Sequence, residues 1–223
     1  MGTKLNGGTT VAATMMLAHR VGINVFATGG LGGVHQGGEK SFDISADLTE
    51  LGRTPVAVVS AGCKSFLDLP RTLEYLETQG VGIATFADGR AGPVDLPGFY
   101  VRDSGIKSPR TIKDEVEAAA ILHAQLSIPV NSGIWFAGPV PAIDSLTKEE
   151  VDEWVVMALQ ETEKKNIHGA ANTPYVLERI KQLSHGRSVL ANKAAISANV
   201  VRATKLTTEL RKLELHEPEQ SVR

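Results

Sequence analysis

The sequence predicts a single-domain, layered α/β/α fold around a mostly parallel or mixed central sheet. Short apolar runs alternate with segments whose apolar residues recur at helical spacing through the first two thirds of the chain. Glycine and proline separate most of these segments. With 42% hydrophobic and 22% charged residues, the 223-residue chain has enough apolar material for a packed core.

Four strands are predicted, each from a run of mostly apolar residues that glycine or proline precedes or follows. They cover 23–28, 56–60, 81–86 and 133–137, and a short extended piece covers 99–101. The segments between most of these strands have helical character. That alternation favours parallel pairing, because parallel strands need long crossover connections.

Helices are predicted where apolar residues recur at helical spacing, and Thr9 or Thr10 is suited to cap the first of them. They cover 9–18, 48–52, 66–79, 111–126, 147–165, 173–184 and 187–210. One α/β domain is therefore expected over residues 1–211. A polar tail over residues 212–223 follows it, and we expect this tail to be frayed.

Charge, cysteine content and hydropathy exclude several classes of protein. The formal net charge of −2 gives no electrostatic basis for binding nucleic acid or a membrane. A single cysteine excludes an intrachain disulfide and fits a reducing compartment. No apolar run reaches the roughly 20 residues of a membrane span, and the first residues lack a signal-peptide pattern. We therefore expect a cytoplasmic protein, with an organellar location left open if an upstream segment exists.

Lys64 lies in a turn shortly after the predicted strand 56–60. The carboxyl ends of parallel strands face the crevice in which open α/β sheets bind ligands. A partly desolvated amine there loses proton affinity and can attack an aldehyde-level carbon. A surface lysine on a loop is the alternative. The adjacent Cys63 is interpreted as a small buried hydrophobe, because no histidine adjoins it in the sequence.

The glycine-rich loop 29–33 and the acidic stretch after it are two further candidate sites. Glycines at this density favour a loop whose N–H groups approach a ligand, although a tight structural turn is the alternative. If this stretch is helical, Asp43 and Asp47 share one face, where they would suit Mg²⁺ or Mn²⁺. Asp47 could instead cap the turn that follows it. His35 could act as an acid, a base or a hydrogen-bond donor, or be structural or solvated.

Four sequence blocks in this order resemble the pseudouridine-5′-phosphate glycosidases. They cover 8–15, 26–35, 42–48 and 60–65, and the similarity continues through 74–78, Thr173-Pro174 and the helix that holds Asn192 and Asn199. The resemblance implies reversible cleavage of the C–C glycosidic bond of pseudouridine 5′-phosphate, which gives uracil and ribose 5-phosphate. It also implies a homotrimer. A C–C glycoside lacks a heteroatom leaving group, so the two-carboxylate chemistry of ordinary glycosidases fits it poorly.

The resemblance also implies roles for individual residues. Lys64 matches the lysine that attacks the ribose C1′ and forms a ring-opened iminium (Schiff-base) adduct. Asp43 matches the ligand of a divalent cation, usually Mn²⁺. A cation or a backbone-amide loop could hold the 5′-phosphate. The substrate-binding positions match Val11, His35, Ser45, Ala46, Asp47 and Asn199, the last of them near uracil.

Members of this family carry roughly a hundred further residues before the first block. The resemblance implies that this segment supplies a glutamate proton donor and a further substrate-binding lysine. We therefore expect this chain to lack the N-terminal part of the fold and to expose apolar surface. Two alternatives follow: a catalytically impaired, truncated subunit that binds sugar phosphates, or another Schiff-base sugar-phosphate lyase.

Overall fold

A computed structural model of the chain describes residues 9–216, apart from the side chain of Ala170. Its strands are β1 Val25–Ala27, β2 Val34–His35, β3 Ala57–Ser60, β4 Leu67–Asp68, β5 Gly82–Phe86, β6 Thr111–Ile112 and β7 Ile134–Ala137. Its α-helices are α1 Val11–Arg20, α2 Gly38–Ser41, α3 Ala46–Leu51, α4 Leu69–Thr78, α5 Glu115–Leu126, α6 Lys148–Lys164, α7 Asn172–Leu183 and α8 Arg187–His216. Short 3₁₀ turns lie at Ala142–Asp144 and Gly169–Ala171.

Five strands form a parallel sheet in the order β1-β3-β7-β5-β6. Side chains alternate across it, as the strand period requires. In β7, for example, Trp135 packs with the cluster that includes residues of α1, α3, α6 and α7, whereas Phe136 packs with α5 and α8. Helices therefore cover both faces, which confirms the predicted layered α/β/α architecture. β2 and β4 form a separate antiparallel pair.

The structure differs from the predicted elements in several places. Where helix was predicted from residue 66, Leu67–Asp68 form the strand β4 and α4 begins at Leu69. Thr111 and Ile112 pair with β5 as an edge strand, and α5 begins only after Asp114, which accepts the N–H groups of Val116 and Glu117. Predicting helix from residue 111 was wrong because the buried Ile112 belongs to the sheet. The piece at 99–101 is a bend, since Phe99 has a φ of 67°.

A further difference concerns the carboxyl-terminal helix. Helix α8 is 30 residues long and runs to His216, so the start of the expected polar tail is helical. The rest of that tail, residues 217–223, lies outside the described residues. Among residues 9–216, no helix is both long and apolar enough to cross a bilayer.

Gly62 fixes the path of the chain directly after β3. Its φ of 94° is one that side-chain-bearing residues rarely adopt, and a Cβ there would lie 1.9 Å from the carbonyl oxygen of Pro97. Gly62 also pairs with Gly98 in an isolated antiparallel bridge. The turn that carries Lys64 is therefore clamped against the segment around Gly98.

Gly62→Ala is expected to lower the free energy of unfolding by roughly 2–4 kcal/mol, through left-handed backbone strain plus overpacking against Pro97. Gly80→Ala is the matched control. Its φ is 69°, but a Cβ there meets nothing within 4 Å, so only strain of about 1 kcal/mol is expected. Urea denaturation measures both variants, and equal losses would contradict the clamp at Gly62.

Candidate active site

The turn with Lys64 continues the parallel pairing of the sheet beyond its carboxyl edge. The N–H of Ala61 donates to the carbonyl of Gly29 at 2.7 Å, and the N–H of Lys64 donates to the carbonyl of Leu31 at 3.1 Å. Leu31 in turn donates to Gly62 at 2.9 Å. Lys64 is half-buried at the crevice end of the sheet, where its place in the sequence predicts it.

A buried carboxylate, Asp47, joins the glycine loop to the start of α1. It accepts the N–H of Gly32 at 2.9 Å and the N–H of Ala12 at 3.0 Å, and the Thr10 hydroxyl lies at 3.4 Å. Ala12 is among the first residues of α1, whose N–H groups have no partner within the helix. Thr10 makes no capping hydrogen bond through its own side chain, so Asp47 supplies the cap for α1.

This arrangement corrects the interpretation of Asp47 as the cap of the turn that follows it. Asp47 is itself the second residue of α3, and Ser45 caps that helix by accepting the N–H of Asp47 at 3.3 Å. Asp43 precedes α3 and lies outside it. The expectation that Asp43 and Asp47 share one helical face is therefore wrong.

Val11, Asp47 and Lys64 line one cavity of about 380 Å³, which we call the Lys64 cavity. Its other lining residues belong to the start of α1 and to the end of β1, and they include Thr10, Thr28 and Gly30. The cavity thus places a primary amine and a carboxylate on the walls of one space, with threonines from both segments. A carbonyl compound that enters it meets a nucleophile and hydrogen-bonding groups together.

His35 and Asp43 line a second cavity of about 640 Å³, together with Glu163 from the last turn of α6 and His168 from the segment after that helix. His35 Nδ1 lies 3.9 Å from Asp43 Oδ2. Burial lowers the pKa of His35 below its ordinary value, and the positive charge of Lys64 adds to this lowering, although Asp43 opposes it. His35 is therefore neutral at pH 7 and has an acceptor nitrogen available.

A third cavity of about 340 Å³ also has Lys64 in its lining. Lys148 and Asp152, which form an ion pair on the first turns of α6, also line this cavity. The sequence gives a weak signal for these two residues, since a Lys–Asp pair four residues apart is common on solvated helix faces. Their position beside Lys64 depends on how α6 packs.

The remaining predicted site residues lie outside these cavities. Ser45 packs against the backbone of Gly32, and Ala46 is exposed. Asn199 of α8 is fully buried and donates from Nδ2 to the carbonyl of Thr28 at 2.9 Å. Its Oδ1 has no hydrogen-bond partner in the described part of the chain. Asn199 therefore supports the end of β1, whose Thr28 lines the Lys64 cavity.

The glycines of the loop 29–33 are explained mainly by close packing. A Cβ on Gly30 would lie 2.5 Å from the Phe99 ring, one on Gly32 would meet Ser45 at 2.1 Å, and one on Gly33 would meet Thr72 at 2.6 Å. The N–H of Gly32 is already used by Asp47. The structure thus supports the structural alternative for these glycines, while Gly30 also lines the cavity that holds Lys64, so the ligand-facing loop stays a prediction.

Taken together, the fold and these cavities define an α/β protein with a lysine-bearing cleft at the carboxyl edge of a parallel sheet. Residues 1–209 match the family model of indigoidine synthase A-like proteins, and the chain belongs to this family. The resemblance to pseudouridine-5′-phosphate glycosidases is confirmed by proteins of that name. They include relatives from Caldanaerobacter subterraneus (45% identical over 94% of this chain) and Arabidopsis thaliana (41% over 95%).

Solved structures agree with this assignment. The prealnumycin C-glycosynthase AlnA, determined in complex with ribulose 5-phosphate, matches with a TM-score of 0.84 and 32% identity, over 95% of this chain and 68% of AlnA. An indigoidine synthase A-like protein from Thermotoga maritima matches with a TM-score of 0.79 and 32% identity, over 91% of this chain and 64% of that protein.

The chain spans only part of the length of these relatives. It covers 66% of the Caldanaerobacter protein, 62% of the Arabidopsis protein and 60% of a relative from Methylobacterium nodulans that is 46% identical over 93% of this chain. Between 34% and 40% of each of these relatives therefore lies outside the match.

Cys63 is expected to resist alkylation in the folded protein. It is 3% exposed, and burial raises the pKa of its thiol to about 12 although Lys64 opposes this. Because the thiolate is the reactive form, only roughly one thiol in ten thousand is reactive at pH 8. Iodoacetamide labelling followed by mass spectrometry should give slow labelling that accelerates with pH up to pH 10. The unfolded chain in guanidinium is the control, and equal rates in the two states would refute the interpretation of Cys63 as a buried hydrophobe.

Proposed function

We propose that this chain carries the nucleophile-bearing part of a pseudouridine-5′-phosphate glycosidase. The reaction is the reversible cleavage of the C–C bond between uracil and ribose in pseudouridine 5′-phosphate. The observation that carries this proposal is the shared cavity of Lys64 and Asp47 at the carboxyl edge of the sheet. The names of relatives at 41–46% identity support the substrate.

In the proposed reaction, Lys64 Nζ forms a bond to C1′ as the bond from C1′ to the ring oxygen breaks. That oxygen takes up a proton, the newly bonded nitrogen gives one up and becomes a neutral secondary amine, and the sugar opens. The nitrogen lone pair then forms the C1′=N bond of an iminium ion, the bond to uracil breaks, and C5 of the base receives a proton. Water finally adds to C1′ and releases ribose 5-phosphate and the free amine, so that the net change is hydrolysis. An amine is needed because it delocalises the positive charge that develops at C1′.

The described residues support distinct roles around Lys64. Asp47 is expected to hold the cavity wall and to contact the sugar, because it faces the cavity while it holds Gly32 and Ala12. Those two N–H groups are therefore not free to hold a phosphate. Val11 lines the same space, and its backbone is the expected contact. His35, neutral at pH 7, is suited to hydrogen-bond the substrate from the neighbouring cavity.

We further propose Asp43 as the protein ligand of a divalent cation, with Mn²⁺ as the expected metal. Its half-buried carboxylate is a hard oxygen donor on the wall of the His35 cavity. Within residues 9–216, no group of three His, Cys, Asp or Glu side chains is close enough to hold a metal ion. The residues present thus fit a cation that keeps most of its shell as water or substrate, as Mg²⁺ and Mn²⁺ commonly do. When bound, the cation would supply positive charge for the phosphate.

One alternative has support from a specific observation. AlnA is a C-glycosynthase that was solved with a pentose phosphate, and its fold matches this chain closely. A different Schiff-base enzyme of sugar phosphates is therefore the second candidate. A catalytically impaired subunit that only binds sugar phosphates is the third candidate. A homotrimer is proposed from the resemblance alone.

Sodium borohydride is expected to trap a covalent adduct of ribose 5-phosphate on Lys64, because reduction makes an iminium bond permanent. Peptide mass spectrometry locates the label. Lys64→Ala should abolish labelling, whereas Lys148→Ala, which removes the other lysine of the adjoining cavity, should retain it.

The same reaction separates the candidates. Added uracil should slow trapping if the chain processes pseudouridine 5′-phosphate, and it should have no effect for a different sugar-phosphate lyase. Label on Lys148, or none on Lys64 in a folded protein, would remove the proposed nucleophile. Adduct formation without uracil release from pseudouridine 5′-phosphate would favour the impaired subunit.

A further inference from the structure

Gln36 lies between the two ends of the candidate site. The strand that precedes it, β2, pairs along one edge with β4, where His35 is opposite Leu67. Leu67 in turn closes the turn that begins at Lys64, because its N–H donates to the Lys64 carbonyl at 3.0 Å. Along the other edge of β2, the N–H of His35 donates to the carbonyl of Asp43 at 3.0 Å. The end of β2 therefore separates the lysine from the carboxylate that is proposed to hold a cation.

Two cavities meet at the side chain of Gln36. One is the cavity of about 340 Å³ that Lys64 also lines, and the other is the cavity of about 640 Å³ that Asp43 lines. Among the described residues, Gln36 is the one that lines both of them. Each has the size of a small-molecule site, roughly 300–1,000 Å³. Together they form a path from the amine to the carboxylate that passes Gln36.

The carboxamide of Gln36 is available to a ligand. Its side chain is exposed and forms no hydrogen bond or ion pair within residues 9–216. Charged side chains of the smaller cavity are already engaged: Lys148 pairs with Asp152, and Asp68 accepts the N–H of Arg71 at 3.0 Å. A carboxamide carries a donor group and an acceptor group side by side, so it can bond neighbouring hydroxyl groups of a sugar.

We propose that Gln36 determines specificity for the sugar by hydrogen-bonding the hydroxyl groups in the middle of the ring-opened adduct. This inference rests on the proposed function, in which C1′ is bound to Lys64 Nζ and the phosphate lies at the Asp43 end. The carbon chain between those two ends then crosses from one cavity to the other beside Gln36. Ring opening leaves hydroxyl groups on C2′, C3′ and C4′, and these need hydrogen-bonding partners where they leave water.

Such a contact separates sugars from simple aldehydes. A site that hydrogen-bonds a hydroxyl group of its substrate discriminates strongly against an analogue that lacks the group. Propanal has an aldehyde carbon for Lys64 but no hydroxyl group, so it gains nothing from Gln36. Ribose has the hydroxyl groups but no phosphate, so it reports on Gln36 independently of the Asp43 end.

Borohydride trapping on Lys64 with ribose 5-phosphate, ribose and propanal tests this contact. Gln36→Leu removes both hydrogen-bonding groups at nearly constant size. It should slow labelling by ribose 5-phosphate and by ribose at least tenfold each and leave labelling by propanal unchanged. The matched control is Gln160→Leu, the same change at an exposed residue of α6 that lines neither cavity. It should be labelled like the unaltered chain by all three compounds.

Three results would overturn the role of Gln36 and leave the proposed nucleophile in place. They are unchanged labelling of Gln36→Leu by ribose 5-phosphate, equal slowing with propanal, and slowing with ribose 5-phosphate alone, which would assign Gln36 to the phosphate. Failure of all three compounds to label Lys64 in the unaltered, folded chain would instead remove the proposed nucleophile, and this inference with it.

Discussion

The candidate site depends on the hydrogen bonds that the buried carboxylate of Asp47 accepts from two backbone N–H groups. The carboxylate connects two segments that no strand pairing joins, the start of α1 and the glycine loop after β1. Both partners are backbone N–H groups, and a hydrogen bond to a charged acceptor typically stabilises a protein by about 1.5–3 kcal/mol. Since Asp47 also lines the Lys64 cavity, the same side chain sets the shape and the charge of that space.

Close backbone packing completes the constraint around Lys64. Position 62 requires glycine because a Cβ there would clash with the carbonyl oxygen of Pro97. Position 30 requires glycine because a Cβ there would clash with the Phe99 ring. These contacts bring the segment 97–99 against the turn after β3 and against the glycine loop at once. The lysine therefore extends from a backbone fixed on two sides, while its side chain borders two cavities. A fixed backbone with an accessible amine suits a nucleophile that must reach one carbon atom.

Local patterns predict much of this fold, and long-range contacts account for what they miss. The central strands β3, β5 and β7 are apolar runs bounded by glycine or proline, so sequence locates them well, and Lys64 follows at the predicted edge. Helix at Thr111 and Ile112 was predicted from periodicity, which cannot detect that Ile112 pairs with β5. Similarly, aspartate is a residue type that commonly caps the turn next to it, but the N–H groups that Asp47 binds are 15 and 35 residues away in the sequence. Lys148 reaches the site only through the packing of α6.

If Asp47 holds the cavity in which Lys64 reacts, Asp47→Asn should slow adduct formation at Lys64, and this rate is the decisive measurement. Asp114→Asn is the matched control, because Asp114 also accepts two backbone N–H groups at the start of a helix, α5, but does not line the Lys64 cavity. Both variants would be assayed by borohydride trapping of ribose 5-phosphate at a temperature at which circular dichroism shows them folded. We expect at least tenfold slower adduct formation at Lys64 in Asp47→Asn, equivalent to about 1.4 kcal/mol, and an unchanged rate in Asp114→Asn. Equal rates in the two folded variants would rule out this role of Asp47.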